Sequence, residues 1–286
     1  MNTYKMMAVL VLLMAGSTWG ASARQNSKPS ENAALRYWAA FAEMQDSSIT
    51  DDQAKELNLI LEGTAPYDDL KYKDLVEKNR PAIEVMSRGT ALPTCDWGLD
   101  YGLGDQTSVE YARKALTLGR LNVLYAFHLM IAGDKDGAVR TLAAGVRFSH
   151  DIENGGTLFA TLVAKDLLVD HFRAIEGLSH LAGFSPGQRS ELQKAFAQFG
   201  SSGLDWQSAM KRELGVLNKP DWQLPLRRVT QGYMAALNDP SALPNLESSL
   251  ANAPSELQRA IPNPKRVLEE KQDFTRQLQQ VRLLLQ

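Results

Sequence analysis

TSVEYARKALTLGRLNVLYAFHLMIAGDKDGAVRTLAAGVRFSHDIENGG, residues 107–156, is the stretch whose reading decides the fold. Thr107 to Glu110 has the spacing of a capping box, in which a hydroxyl and an acid satisfy the first free amides of a helix. Leu118, Leu121, Leu124, Tyr125, His128 and Ile131 then recur at three and four, the period of one helix face. Gly133 stops that helix and Asp134 caps the next, which runs through Ala138, Leu142, Ala143, Val146 and Phe148 to the Gly155-Gly156 stop. The turn at Gly133-Asp134 makes the two helices an antiparallel pair, and Ala138, Ala143 and Ala144 are small enough for close contact.

The same signals extend outward in both directions. Thr157 opens a third helix with Ala160, Val163, Leu167 and Ala174 on one face. Ser185 to Gln188, with Pro186 at the first helical position, is a further capping box leading through Leu192, Ala195, Phe196 and Phe199 to Gly200. A short helix follows Asp205, another covers Pro225 to Leu237, and 239–264, rich in Pro, Asn and Ser, wraps the core with short turns. A last helix from Lys265 carries Val267, Phe274, Leu278, Val281 and Leu285 on one face.

Towards the N-terminus, Leu35, Trp38, Ala39 and Ala42 predict a helix from Ser30 to Asp46 that buries that face. Thr50 and Gln53 box the next helix, with Leu57, Ile60 and Leu61 before Gly63, and the two form a hairpin. Tyr72, Leu75, Val76, Asn79, Ile83 and Met86 keep the stripe from Tyr67 to Arg88, while Pro81 predicts a kink or two abutting helices. The hairpin at 108–153 is not copied at any fixed period. The expected architecture is all-α: an irregular array of antiparallel helical hairpins, tetratricopeptide-like, and not a regular solenoid. It spans one domain, 24–286, whose natural point of subdivision is near residue 183.

Residues 1–23 read as a secretory signal peptide. Lys5 precedes an apolar run from Met6 to Ala15, and small residues close on Ala21-Ser22-Ala23. An apolar run of about ten residues is half of what a membrane span needs. The chain is therefore expected to be exported, periplasmic or extracellular, and not inserted in a membrane after cleavage. Signal removal takes away Lys5 and no acid, moving the formal charge from −2 to −3. With no run of five like charges, nucleic acid and anionic membranes are poor partners. Cys95 is the single cysteine, so no internal disulfide can form and burial is its expected state.

The longest loop, 89–106, is broken by Gly89, Pro93, Gly98, Gly102 and Gly104 and holds two aromatic residues among the acids Asp96, Asp100 and Asp105. Asp96, Trp97, Asp100 and Tyr101 are candidate ligand-binding residues: carboxylates supply charge and aromatic rings supply faces for a sugar or a cation. The bland alternative is that Trp97 and Tyr101 plug the core while the aspartates cap. Tyr125 and His128, on the apolar stripe, complete the candidate set. His150 and Asp151 lie near a helix C-terminus, and His171 follows Asp166 and Asp170, yet no H-E-x-x-H or H-x-x-x-H pair exists, so no metal is expected. No G-x-S-x-G elbow is present, and no cofactor is implied. Gly155-Gly156-Thr157 could cradle an anion but reads more simply as a stop followed by a start.

The motif Cys95 to Tyr101, the helix pair through Gly133-Asp134 and Ala138, and Gly155-Gly156-Thr157-Leu158, in that order, resemble a family of exported, all-helical bacterial proteins of unknown function. The likeness covers roughly 67–182, more loosely Pro262-Asn263-Pro264. It implies an irregular fold related to tetratricopeptide hairpins, and relatives that continue beyond the end of this chain, but no reaction or catalytic residue. With no catalytic constellation, the leading expectation is an exported helical binding or scaffold protein. Its groove, near the loop and the helix of Tyr125 and His128, would receive a peptide or protein partner. The alternative is an envelope hydrolase acting on a glycan or peptide through Asp96 and Asp100.

Overall fold

The computed structural model describes residues 31–45, 50–106, 110–201, 203–217 and 219–286. The expected signal peptide, the cap at Thr107, the helix ends at Ser30 and Asp46, and the side chain of Asp105 lie outside the described residues. Asn32 caps α1 (Ala33–Glu43) by accepting the Ala34 amide. Thr50 and Gln53 form the expected box on α2 (Asp51–Leu61), and Gly63 leaves it at φ 74°. Asp68 caps α3 (Asp69–Gly89). A 3-10 turn (Tyr101–Gln106) precedes α4 (Glu110–Ile131), and α5 (Lys135–Glu153) starts on Asp134, whose carboxylate accepts the Gly137 amide at 2.7 Å. Then come α6 (Leu158–Ala182), α7 (Pro186–Phe196), α8 (Trp206–Val216), α9 (Gln223–Asn238), α10 (Leu243–Ala251), α11 (Ser255–Ala260) and α12 (Pro264–Leu284). Among the described residues there is no strand, only isolated bridges at Asn32–Thr94 and Gly200–Gly203. The protein is all-α.

Helices α4, α5 and α6 pack on one another, α3 backs α4, α1 lies on α3, α7 on α5, and α12 on α6. Asn32–Gln286 form one compact unit. The stripes predicted for α5, α6 and α12 are buried as expected, because each is wide and unbroken.

Three expectations fail. The hairpin expected of the first two helices does not form: α1 packs on α3, and α2 on α6. On α1 the predicted face (Leu35, Trp38, Ala39, Ala42) is exposed, and Ala33, Ala34, Tyr37, Ala40 and Phe41 are buried instead. Both faces of α1 are apolar, and the aromatic cluster around Tyr37 and Phe41 selects between them. Of the two outcomes expected at Pro81, a kink or two abutting helices, the second does not occur: α3 is one helix of 21 residues. Proline removes one amide donor there, and the buried face of Val76, Ala82, Ile83 and Met86 on either side holds the helix together.

The crossing of α4, α5 and α6 is tightened by glycine and locked by a histidine. A Cβ at Gly119 would come within 2.5 Å of Leu167 Cδ2, and one at Gly145 would overlap His171 Nε2 and Asn122 Oδ1. His171 is fully buried, which lowers its pKa to about 4 and keeps it neutral. Its Nδ1–H donates to the Leu167 carbonyl at 2.7 Å, leaving Nε2 as an acceptor 3.0 Å from the Asn122 amide. An Asn122 amide turned to present Nδ2 to Nε2 satisfies both groups. Beside it, Arg120 Nε lies 3.6 Å from the buried Asp170 carboxylate, whose pKa burial raises to about 6. These polar groups join helices.

Candidate functional site

The loop before α4 is a strap fastened at several points. The Asn32 side chain donates to the Asp96 carbonyl and accepts the Asp96 amide, each at 2.8 Å, and the Ala33 amide donates to the Thr94 carbonyl. Trp97 turns inward and is 7% exposed, stacked on Tyr111 (centroids 4.4 Å apart) and Tyr37 (5.7 Å). Its Nε1–H donates to the Asp151 carbonyl at 2.9 Å, and the Cys95 thiol donates to the same oxygen at 3.6 Å. Burial pushes the Cys95 thiol well above its ordinary pKa, so it is held as the unreactive thiol. The Tyr37 hydroxyl donates to the Asp151 carboxylate at 2.5 Å. The strap thus closes over the last turn of α5, whose carbonyls have no partner inside the helix.

Asp96 and Asp100 are exposed, and each Oδ1 accepts an amide two residues on, from Gly98 and Gly102, both at 2.9 Å. These are Asx turns, the local bond that makes aspartate common in loops. The Trp97 indole is packed among the rings of Tyr37, Phe41 and Tyr111 and has little face left for a ligand. Tyr101 is half-buried beside Arg212 and Glu213 of α8.

Tyr125 and His128 stand elsewhere, against α3. His128 Nδ1 is 2.7 Å from Asp69 Oδ1 and Nε2 is 3.3 Å from Glu77 Oε1, with the Tyr125 ring 6.1 Å away. His128 ties α4 to two carboxylates in the first half of α3. The loop packs against α1, α5, α8 and Tyr111 in the first turn of α4, whereas His128, far along α4, faces α3. At the start of α6, the Leu158 amide donates to Glu213 Oε2 at 3.1 Å and Arg212 donates to the Gly156 carbonyl at 3.2 Å. The anion at Gly155-Gly156-Thr157 is the chain's own carboxylate.

The described surface also holds recesses that no sequence motif marks. One is an apolar groove of about 630 Å³ between the C-terminal ends of α2, α4 and α6. Ile60, Leu61, Tyr67, Phe127, Met130, Leu178 and Leu181 line it, with Glu62, Arg173, Glu176 and His180 on its margins. Ile131 and Leu181 are 58% and 81% exposed at its mouth. Helix α4 reaches the groove through Phe127 and Met130, one turn from His128, but the loop 89–106 does not line it.

Another recess is a polar cavity of about 550 Å³ at the end of α5, bounded by the turn before α8, the end of α9 and Lys271 of α12. Glu153 is its buried acid. Oε2 accepts the Asp205 amide at 2.9 Å, and Oε1 lies 3.8 Å from His150 Nε2. Burial raises the Glu153 pKa to about 7, against the pull of His150. Between about pH 4.5 and 7 the folded chain keeps this proton while the unfolded chain has lost it, so stability falls as pH rises through that window. Replacing Glu153 by glutamine removes the effect. Relative to the parent, Glu153→Gln should gain roughly 2 kcal/mol between about pH 5.5 and 7, measured by denaturant unfolding at each pH. A pH-independent difference would show that Glu153 titrates normally.

No protein-family model, curated protein or solved structure matches the chain. Among the described residues, no helix is long and apolar enough to cross a membrane, and no group of His, Cys, Asp and Glu could hold a metal ion.

Proposed function

We propose that the chain is an exported helical binding protein, as its N-terminal signal and its family resemblance imply, and that its apolar groove receives an extended or helical segment of a peptide partner. The observation that carries this reading is the groove itself. Three helix ends leave an apolar channel flanked by charges of both signs, the make-up of sites that anchor apolar side chains and orient them by a few polar groups. The tetratricopeptide-like hairpin of α4 and α5 belongs to the same proposal, since α4 supplies one wall. Hydrolysis through Asp96 and Asp100 has less support, because both carboxylates are held in turns.

Gly177 gives a clean test. It lines the groove, and a Cβ there meets nothing within 4 Å. Gly177→Leu should fill the channel while stabilising α6 by up to about 1 kcal/mol through helix propensity. Random peptides displayed against the immobilised protein should enrich sequences with apolar anchors, bound at least roughly tenfold more weakly by Gly177→Leu. Enriched peptides that bind both proteins alike, or no enrichment, would overturn the proposal.

A further inference from the structure

The polar cavity at the end of α5 plays no part in peptide binding, and its lining has unmet hydrogen-bonding capacity. Glu153 Oε1 has no donor within hydrogen-bond distance among the described residues; its nearest cationic neighbour is His150 Nε2 at 3.8 Å. Trp206 also lines the cavity. Its indole N–H is buried and has no hydrogen-bond partner among the described residues, and the same is true of His150 Nδ1. A buried polar atom left unpaired costs about 1–3 kcal/mol; the Trp206 and His150 nitrogens are sealed from the cavity, whereas a donor entering it can supply the bond that Glu153 Oε1 lacks.

The chemistry of the lining narrows what that is. Asp205 is matched by Lys271, and burial holds Glu153 largely protonated below about pH 7, so no excess of one sign selects an ion. Lys271 Nζ already donates to the Leu237 carbonyl at the end of α9, and Asp205 already caps α8 through the Ser208 amide. What remains at the rim is the spare capacity of three side-chain amides: Gln207 donates to Asn238 Oδ1 and Asn154 to Asp151 Oδ1, which leaves the Asn238 amino group to donate and the Gln207 and Asn154 carbonyls to accept. A hydroxyl both donates and accepts, and each one can meet an amide and a carboxylate together. The volume is that of a small-molecule site, which typically holds about 300–1,000 Å³. Gly203 stiffens one wall: it sits at φ 77° pressed onto Phe274 of α12.

We infer that this cavity is a binding site for a neutral polyhydroxyl ligand, a sugar residue, with Glu153 as its inner contact and Asn154, Gln207 and Asn238 at its rim. This site is separate from the groove and from the Asp96–Asp100 loop.

The full chain should be titrated by calorimetry with three neutral trisaccharides, maltotriose, cellotriose and the N-acetylglucosamine trimer, and sedimented with insoluble cellulose and chitin. At least one should bind saturably. Binding of a free trisaccharide assigns a soluble sugar, and binding of polymer alone assigns a chain end; either supports the site. Glu153→Gln and, as a variant at an exposed position that keeps the fold, Asn238→Ala should each weaken that binding roughly tenfold. Gly177→Leu should leave it unchanged, which separates this site from the groove. No saturable binding to any of the five sugars, or binding that Glu153→Gln and Asn238→Ala both leave intact, would overturn the inference.

Discussion

Trp97→Ala is expected to lower stability by about 3–5 kcal/mol, the cost of deleting a large buried aromatic side chain together with the cavity it leaves. The indole is stacked between Tyr37 and Tyr111, flanked by Phe41 and Trp38, and its N–H caps the Asp151 carbonyl. Trp97→Phe should retain most of the packing and lose only that hydrogen bond, about 1 kcal/mol. Denaturant unfolding of both variants decides between the two readings of the loop. A tryptophan serving as an exposed ligand platform would change stability by no more than about 0.5 kcal/mol when removed. Such a result would return the loop to the list of binding surfaces.

The second large effect reverses an ordinary rule. Alanine in place of glycine within a helix normally stabilises by about 1 kcal/mol, and Gly177→Ala, facing open space, should do so. Gly145→Ala should instead cost about 3 kcal/mol. Its methyl group would collide with His171 and Asn122 where α5 crosses α4 and α6, leaving buried polar groups unpaired in an overpacked contact. The melting temperature should drop by roughly 6–12 °C for Gly145→Ala and rise slightly for Gly177→Ala. Equal melting temperatures would mean that the three helices do not approach as closely as Gly145 requires.

The candidate site was legible only in part. Asp96, Trp97, Asp100 and Tyr101 were marked by an aromatic and acidic loop, yet such a loop is equally the signature of a strap whose acids make Asx turns and whose rings enter the core. What separates the two is the last turn of α5, which presents the Asp151 carbonyl and carboxylate to Trp97, Cys95 and Tyr37. His128 was placed correctly on the inner stripe of its helix, but its partners Asp69 and Glu77 lie far back in the chain. His150 was read as a helix-end histidine. Glu153, one turn on, gave no signal, because its burial depends on Asp205 and the turn before α8.

Helix positions, by contrast, follow from residues within a turn of one another. Thr50 with Gln53, Ser185 with Gln188, and Asp134 and Asp205 as caps set the starts; Gly63, Gly133 and Gly155, all at positive φ, set the stops. Those interactions are local, so the sequence by itself determined an all-helical chain and most of its buried faces. Tertiary structure decided which face of α1 is covered, that α3 continues through Pro81, and that His150, Glu153, Trp206 and Lys271 meet around one cavity. Each of those depends on the shape and spacing of surfaces brought together from distant parts of the chain, and no local pattern of residues encodes it.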